Sequence, residues 1–233
     1  MPTAAPATPD RRPARRKPAP HPPTLLLIVR HGATPTTGKI LPGRAPGLHL
    51  ADRGHQQASA VAERLRVWSE GRGDARVAAV YASPLERTRE TAAPIAKALG
   101  LKVRAHRGLL ECDFGEWTGA ELKKLAKTPE WATVQRYPSG FRFPGGESFV
   151  AMQARMVDAL AELCRRHPGQ AVVAVSHADP IKAAVADALG SHLDLFQRIV
   201  ISPCSLTAVS YGPTGPTVLA VNSTAALADL VPS

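Results

Sequence analysis

Short apolar runs along the chain predict the strands of a buried sheet. Residues 24–30 read TLLLIVR, residues 76–82 read RVAAVYA and residues 170–176 read QAVVAVS. Because these runs lack the alternation of a half-exposed strand, they indicate strands that are covered on both faces. Weaker patterns predict three further strands, at 101–105, near 204–211 and near 216–222.

Apolar residues recur at helical spacing between these runs. Helices are predicted over 52–69, from Ser83-Pro84 to Leu99-Gly100, over 147–167, and from Asp179-Pro180 to Gly190. In the second of them, serine would be the N-cap and proline the first helical residue. Glycine would end it in the left-handed conformation. Strands that alternate with helices predict an α/β fold with a mostly parallel sheet.

Two segments depart from this alternation. Residues 106–146 are irregular, with short helical pieces near 119–137, and we interpret them as a lid or specificity insertion. Residues 1–23 hold eight prolines, five Arg or Lys residues and one Asp, without an apolar periodicity. That composition predicts a disordered tail ahead of a domain spanning 24–233. The tail would be a solvated extension, with a tether to nucleic acid or a membrane surface as the alternative.

The composition of the 233 residues is that of a globular protein. Hydrophobic residues make up 44% and charged residues 21% of the chain, which excludes a wholly disordered or coiled-coil protein. No apolar run reaches the roughly 20 residues of a membrane-spanning helix. The net charge is +10, which fits nucleic acid, an acidic surface or a small anion as a partner. Cys112, Cys164 and Cys204 lack the spacing of a disulfide framework, so we expect a reducing, cytoplasmic environment.

Basic side chains follow three of the predicted strands. The first strand runs into Arg30 and His31, the second is followed by Arg87, and the strand at 170–176 is followed by His177. Ligands of parallel α/β sheets bind outside the carboxyl ends of the strands. If these strands are neighbours, the four side chains converge on one pocket.

Two arginines, two histidines and the free N–H groups of helix N-termini describe a site for a dianionic phosphate. Histidine can also attack phosphorus, because it is a good nucleophile near neutral pH. Gly32 would let the backbone approach His31 and fix its tautomer. The sequence contains no P-loop, dinucleotide fingerprint or metal-ligand spacing, so we expect neither a metal nor a cofactor.

Six motifs carry a resemblance to a known family. In chain order over residues 24–222 they are LIVRHGATPTTG, ADRGHQQA, VYASPLERTRETA, LLECDFGEWTG, PGGES and VVAVSHADPIKA. In this set and order the chain resembles the histidine phosphatase superfamily, also called phosphoglycerate-mutase-like. Its middle stretch is most similar to an actinobacterial branch described as phosphomutases or phosphatases. The resemblance implies a three-layer α/β/α fold around a mostly parallel sheet.

The resemblance also implies catalytic roles by position. His31 would be the nucleophile that becomes phosphohistidine. Arg30, Arg87 and His177 would hold the phosphoryl oxygens and stabilise the charge that develops in transfer. Glu111, in LLECDFGEWTG, would protonate the leaving oxygen and then act as the base for water. Burial beside Phe114 and Trp117 would raise the pKa of this carboxyl.

Five residues are assigned to substrate binding, namely Gly32, Thr34, Thr37, Arg44 and Ala178. Thr37 stands where the family usually has asparagine, so a hydroxyl replaces an amide. Ala178 stands where glycine is frequent, and its backbone N–H remains available. For Arg44, contact with the substrate and exposure to solvent are both open.

The predicted function is a cytoplasmic, metal-independent phosphomonoesterase that hydrolyses a small phosphorylated metabolite through a phosphohistidine. A phosphoglycerate-type mutase is the first alternative, although the insertion looks more like the phosphatase type. A non-catalytic module that binds a phosphorylated ligand is the alternative from another class. We expect no specific nucleic-acid partner and no membrane partner. The oligomeric state stays open, although a homodimer is common in the family that the chain resembles.

Overall fold

A computed structural model describes residues 22–73 and 76–224. A single sheet has the order β3-β2-β4-β1-β5-β6. Its strands are β1 (Thr24–Arg30), β2 (Val77–Ala82), β3 (Val103–Ala105), β4 (Ala171–Ser176), β5 (Leu206–Gly212) and β6 (Gly215–Ser223). Strands β1 to β4 pair in parallel, and β5 and β6 are antiparallel to their neighbours. Apart from Pro22 and Pro23, the predicted tail lies outside the described residues and stays a prediction.

Helices cover both faces of this sheet. They are α1 (Asp52–Glu70), α2 (Glu86–Ala98), α3 (Leu122–Leu125), α4 (Pro129–Arg136), α5 (Phe149–Arg166) and α6 (Ala178–Ala188). On one face, Leu25 and Leu27 of β1 pack in a core with α1 and α2. On the other face, Leu26 and Ile28 pack in a core with α5 and α6. The apolar run of β1 is therefore buried on both sides, and the predicted three-layer α/β/α fold is confirmed.

The helix-start prediction at Ser83-Pro84 is wrong, because α2 begins at Glu86 with Leu85 as its N-cap. The Ser83 N–H instead donates to the carbonyl of Val175 on β4, at 2.9 Å, so the chain stays beside the sheet for one more residue. Its hydroxyl lies 2.9 Å from a ring nitrogen of His177. The Leu85 carbonyl accepts the first helical hydrogen bonds, from the N–H groups of Thr88 and Arg89, so the helix opens two residues after Ser83.

Other boundaries shift by one or two residues. Helix α6 begins at Ala178 with His177 as its N-cap, one residue before the predicted Asp179. Helix α5 begins at Phe149, and the Ser148 hydroxyl accepts a hydrogen bond from the Ala151 N–H at 3.1 Å.

The 106–146 segment builds a third hydrophobic cluster beside the sheet. It consists of the helices α3 and α4 with short 3₁₀ turns before and after them. Its aromatic residues Phe114 and Phe143 pack edge to face, with ring centroids 4.9 Å apart. Phe143 packs in the same way on Phe149 of α5. The described helices include none long and apolar enough to cross a bilayer.

Candidate active site

The sheet order brings the three predicted strand ends together. Strand β4 lies between β1 and β2, with Arg30 in register with Ser176. The His31 N–H donates to the Ser176 carbonyl at 2.9 Å. The rings of His31 and His177 lie with their centroids 5.2 Å apart. The four basic side chains expected at these strand ends therefore belong to one site at the carboxyl edge of the parallel strands.

His31 is held with one ring nitrogen free for chemistry. Its Nδ1 lies 2.7 Å from the Gly32 carbonyl oxygen, which can only accept, so Nδ1 carries the proton. The lone pair then resides on Nε2. Burial, followed by the positive charges of Arg87 and Arg30, holds the pKa of His31 well below its usual range. The ring is neutral at physiological pH and available as a nucleophile.

Gly32 positions His31 with its backbone, and its predicted contact with substrate stays a prediction. Its N–H donates to the Thr91 hydroxyl at 3.0 Å, and its carbonyl accepts from His31. A Cβ at this position would lie 2.6 Å from the Gly54 carbonyl oxygen. Glycine is required because the loop after β1 crosses the first turn of α1 at backbone contact distance.

Buried donors without a partner surround His31. Arg87 is fully buried, and its Nη2 donates to the Gly43 carbonyl at 2.8 Å. Its Nε and Nη1, Arg30 Nε and His177 Nδ1 have no hydrogen-bond partner among the residues that the structure describes. A buried donor left unsatisfied costs about 1–3 kcal/mol, and more if it is charged. Four such donors around one nucleophile are the signature of an anion site.

His177 is oriented by a residue that the sequence reasoning missed as part of the site. Its Nε2 lies 2.9 Å from the Ser83 hydroxyl. The tautomer in which Ser83 donates to Nε2 places the proton on Nδ1, where it can bind an anion. Burial, with the charge of Arg87 as the next cause, keeps the pKa of His177 well below its usual range. The signal available in the sequence was the position of Ser83 at the end of a strand.

Glu111 lies beside these groups and is buried, with 6% of its surface exposed. Its Oε1 accepts from the Cys112 N–H at 2.9 Å, and its Oε2 is 4.0 Å from His177 Nδ1. Burial, then the negative charge of Asp179, raises the pKa of Glu111 to about 7, against the opposing charge of Arg87. A carboxyl with this pKa can give and take a proton near neutral pH.

The sources of that burial differ in part from the sequence expectation. Phe114 and Glu111 line the same cavity, as the expected aromatic burial requires. Trp117, the other aromatic residue expected there, packs instead on Phe141 and Phe143, with centroids 5.4 Å from each. Asp179, which the sequence reasoning used only to start a helix, is the carboxylate whose charge reaches Glu111.

The predicted substrate-binding threonines form a hydroxyl cluster on the cavity wall. The Thr37 hydroxyl accepts from the Thr34 N–H at 2.8 Å and lies 3.0 Å from the Thr34 hydroxyl. Thr36 and Thr34 hydroxyls are 3.3 Å apart. Ala178 also lines the cavity, and as the first residue of α6 it presents an N–H at the positive end of the helix.

Arg44 is partly buried, with 29% of its side-chain surface exposed, and it is not among the residues that line the cavity, so its contact with substrate stays a prediction. Its Nε donates to the backbone carbonyl of Glu111 at 2.9 Å, and its Nη2 binds Glu147 at 2.9 Å. Arg155 of α5 binds the other oxygen of Glu147 at 2.8 Å and donates to the same Glu111 carbonyl at 3.3 Å. One carboxylate thus holds two arginines that clamp the backbone of Glu111.

This clamp predicts an effect of Glu147 on catalysis without contact to substrate. We expect Glu147→Gln to lower kcat by about 100-fold, because a displacement of about 1 Å of a catalytic group costs that much. The measurement is a double-mutant cycle with Glu111→Gln. If Glu147 acts by positioning Glu111, its effect largely disappears in the Glu111→Gln background. Additive losses would contradict this role, and Glu63→Gln on the exposed face of α1 is the control.

The site opens into a cavity of about 400 Å³. Arg30, His31 and Glu111 lie at one end of it, and the 106–146 segment contributes Leu122 and Trp131 to its wall. Among the described residues there is no cluster of three or more His, Cys, Asp or Glu residues able to hold a metal ion. That the activity needs no metal nevertheless stays a prediction, which activity measurements would test.

The geometry is that of an anion-binding site beside a neutral, buried histidine. The profile of the histidine phosphatase superfamily (branch 1) matches residues 26–224. The chain belongs to this superfamily, as its motifs suggested.

Individual relatives support the same assignment. Phosphoserine phosphatase 1 of Hydrogenobacter thermophilus is 32% identical over 184 residues, covering 73% of this chain and 79% of that protein. The probable phosphoglycerate mutase GpmB of Klebsiella pneumoniae is 31% identical over 189 residues, covering 80% of this chain and 84% of that protein. The chain spans about half (52%) of another match, the bifunctional protein Rv2228c of Mycobacterium tuberculosis.

A solved structure extends the similarity to the fold. The mycobacterial glucosyl-3-phosphoglycerate phosphatase Rv2419c superposes with a TM-score of 0.73 at 26% identity. The match covers 86% of this chain and 99% of that one. The superfamily thus includes phosphatases and mutases among the proteins similar to this chain.

Proposed function

We propose that this protein is a metal-independent phosphomonoesterase that hydrolyses a small phosphorylated metabolite through a phosphohistidine on His31. The observation that carries the proposal is the state of His31. Its ring is neutral, its Nδ1 is tied to Gly32, and buried donors without partners in the described structure surround it. A nucleophile beside an anion site is what phosphoryl transfer requires.

In the first step, Nε2 of His31 attacks phosphorus and forms the N–P bond, while the bond from phosphorus to the ester oxygen breaks. Arg30, Arg87 and His177 stabilise the charge on the three phosphoryl oxygens. Glu111, in its protonated form, gives its proton to the leaving oxygen, so an alcohol departs.

In the second step, water attacks the phosphohistidine. Glu111 is now a carboxylate and takes the proton of that water, and the N–P bond breaks to release phosphate and restore neutral His31. The sum is phosphomonoester plus water giving alcohol plus phosphate. Both steps use the same carboxyl in opposite protonation states, which suits a pKa of about 7.

A phosphomutase is the second candidate, because GpmB is nearly as similar to this chain as the phosphoserine phosphatase is. A mutase would return the phosphoryl group to a second position of its substrate instead of to water. The named phosphatases among the matches, together with an insertion that looks like the phosphatase type, support hydrolysis over transfer.

The test is phosphate release from a panel of phosphomonoesters by purified protein in EDTA. The same samples are assayed for conversion of 3-phosphoglycerate to 2-phosphoglycerate. We expect phosphate release without added metal. Isomer conversion in place of release would identify a mutase. A folded protein that binds phosphate but gives neither product would identify a binding module.

The role of Glu111 as an acid predicts how activity depends on pH. Because Glu111 must be protonated in the free enzyme, kcat/KM should fall as pH rises above about 7. Asp179→Asn removes a negative charge that raises this pKa, so the alkaline limb should move to lower pH. The measurement is kcat/KM against pH for wild type and Asp179→Asn. A limb that stays in place would contradict the assignment, and Asp158→Asn, exposed on α5, is the matched control.

A further inference from the structure

We propose that the leaving group of the substrate is an uncharged alcohol with a flat apolar face, of the kind that an aromatic alcohol provides. This inference rests on the proposed function, because it concerns the part of the substrate that departs from phosphorus. Two properties of the cavity wall carry the inference. The wall is largely apolar away from the groups that bind the phosphoryl group, and its lysine, Lys182, is already paired with Asp179.

Three separate segments build the apolar wall. The loop after β1, the 106–146 insertion and the chain before β5 contribute Leu41, Phe114, Leu122, Trp131, Val200 and Ile201. Trp131 is braced by Trp117, which stacks on it with ring centroids 6.5 Å apart. Val200 is 66% exposed, so this part of the wall is open to solvent in the free protein. Apolar walls with a few polar groups are typical of sites for small organic ligands.

The charges of the wall do not favour a second anion on the substrate. Apart from the phosphoryl-binding groups, Lys182 is the one cation among the described residues that line the cavity. Its Nζ lies 3.4 Å from an Asp179 oxygen and 3.1 Å from the side-chain oxygen of Gln197. A carboxylate placed here would meet a lysine that is already paired, and it would also face the charge of Asp179. Burying an anion without a free partner is costly.

The alternative to be tested is a zwitterionic leaving group, which carries both a positive and a negative charge. The ammonium and carboxylate of a phosphorylated amino acid could replace the Asp179–Lys182 contact with two new ones. That exchange gains one ion pair, but both charged groups of the substrate must be desolvated to form it, and it would leave the apolar wall largely uncovered. An uncharged leaving group keeps the existing pair and covers the wall.

The deciding experiment compares two substrates that differ in one charge. Benzyl phosphate and 4-carboxybenzyl phosphate have similar leaving alcohols, and the second carries a carboxylate. We expect kcat/KM to favour benzyl phosphate by about tenfold or more, a difference of about 1.4 kcal/mol. Phosphoserine, 3-phosphoglycerate and a nucleoside 5′-monophosphate complete the panel, the last to distinguish a nucleobase from a simple aryl face.

The outcomes separate this inference from the proposed function. Preference for 4-carboxybenzyl phosphate, 3-phosphoglycerate or phosphoserine, with activity that depends on His31, overturns the inference and leaves the phosphatase intact. Absence of His31-dependent release from every substrate overturns the proposed function, and the inference falls with it.

Three variants test the residues that carry the argument. Asp179→Asn releases Lys182, so the ratio of kcat/KM for benzyl over 4-carboxybenzyl phosphate should fall several-fold. The effect of Asp179 on Glu111 acts on both substrates and cancels in this ratio. Trp131→Ala should raise KM for benzyl phosphate more than it lowers kcat, and Leu122→Ala should do the same to a smaller extent. An unchanged ratio in Asp179→Asn, with Asp158→Asn as the control, would contradict the charge argument.

Discussion

Replacing His31 with alanine should lower kcat/KM for phosphate release by about four orders of magnitude or more, the scale of loss when a covalent nucleophile is removed. No neighbouring group can take over the attack. His177 lies closest, but its Nε2 is engaged by Ser83 and its Nδ1 is placed as a donor. Wild type incubated with a ³²P-labelled substrate and quenched in alkaline detergent should contain a phosphoprotein that is stable to alkali and labile to acid, and the variant should contain none.

The matched control for this variant is His55→Ala. His55 is exposed in the first turn of α1, away from the cavity, so its replacement should leave kcat/KM unchanged. Equal folded-state spectra for both variants would show that the loss at His31 is chemical. Near wild-type turnover in His31→Ala would refute a phosphohistidine at this position.

Replacing Arg87 with methionine should lower kcat/KM by about 10²–10³-fold, the usual effect of removing one donor aimed at transition-state charge. The stability of the free protein should change far less. The variant loses the bond to Gly43, but it also removes a buried cation with two donors that lack partners in the described structure. Inorganic phosphate should raise the Tm of wild type and leave the Tm of Arg87→Met almost unchanged.

Arg89→Met is the control on the same helix, because Arg89 is exposed two residues further along α2. It should keep both the activity and the phosphate-induced rise in Tm. An Arg87→Met protein whose Tm still rises with phosphate as much as wild type would show that the anion binds elsewhere.

The fold was predictable because burial on both faces leaves a plain pattern in the sequence. Strand β1 has the predicted bounds, and β2 and β4 lie within one residue of theirs. The rule that ligands bind at the carboxyl ends of parallel strands then selected His31 and His177 before the sheet order was known. The resemblance to the family added Glu111, which no local pattern marks.

The contacts that orient these groups could not be predicted, because they join distant parts of the chain. Arg44 meets Glu147 across 103 positions, and Ser83 meets His177 across 94. Each of these residues also has an ordinary local explanation, as a surface arginine or a helix cap. The local explanation failed for Ser83 because its backbone continues the sheet, and it failed for Arg44 because two carboxylates and a carbonyl occupy its guanidinium.

The hydrogen-bond donors of the anion site come from the ends of three different strands, and this placement has a consequence for folding. Arg30 ends β1, Arg87 lies in the helix after β2, and His177 follows β4. The middle strand of the three in space is the last in the chain. No N-terminal fragment that ends before β4 can assemble the anion site. A phosphate ion that binds there, as the proposed function requires, would bind the complete sheet and not its partly folded precursors. It would then stabilise the native state selectively.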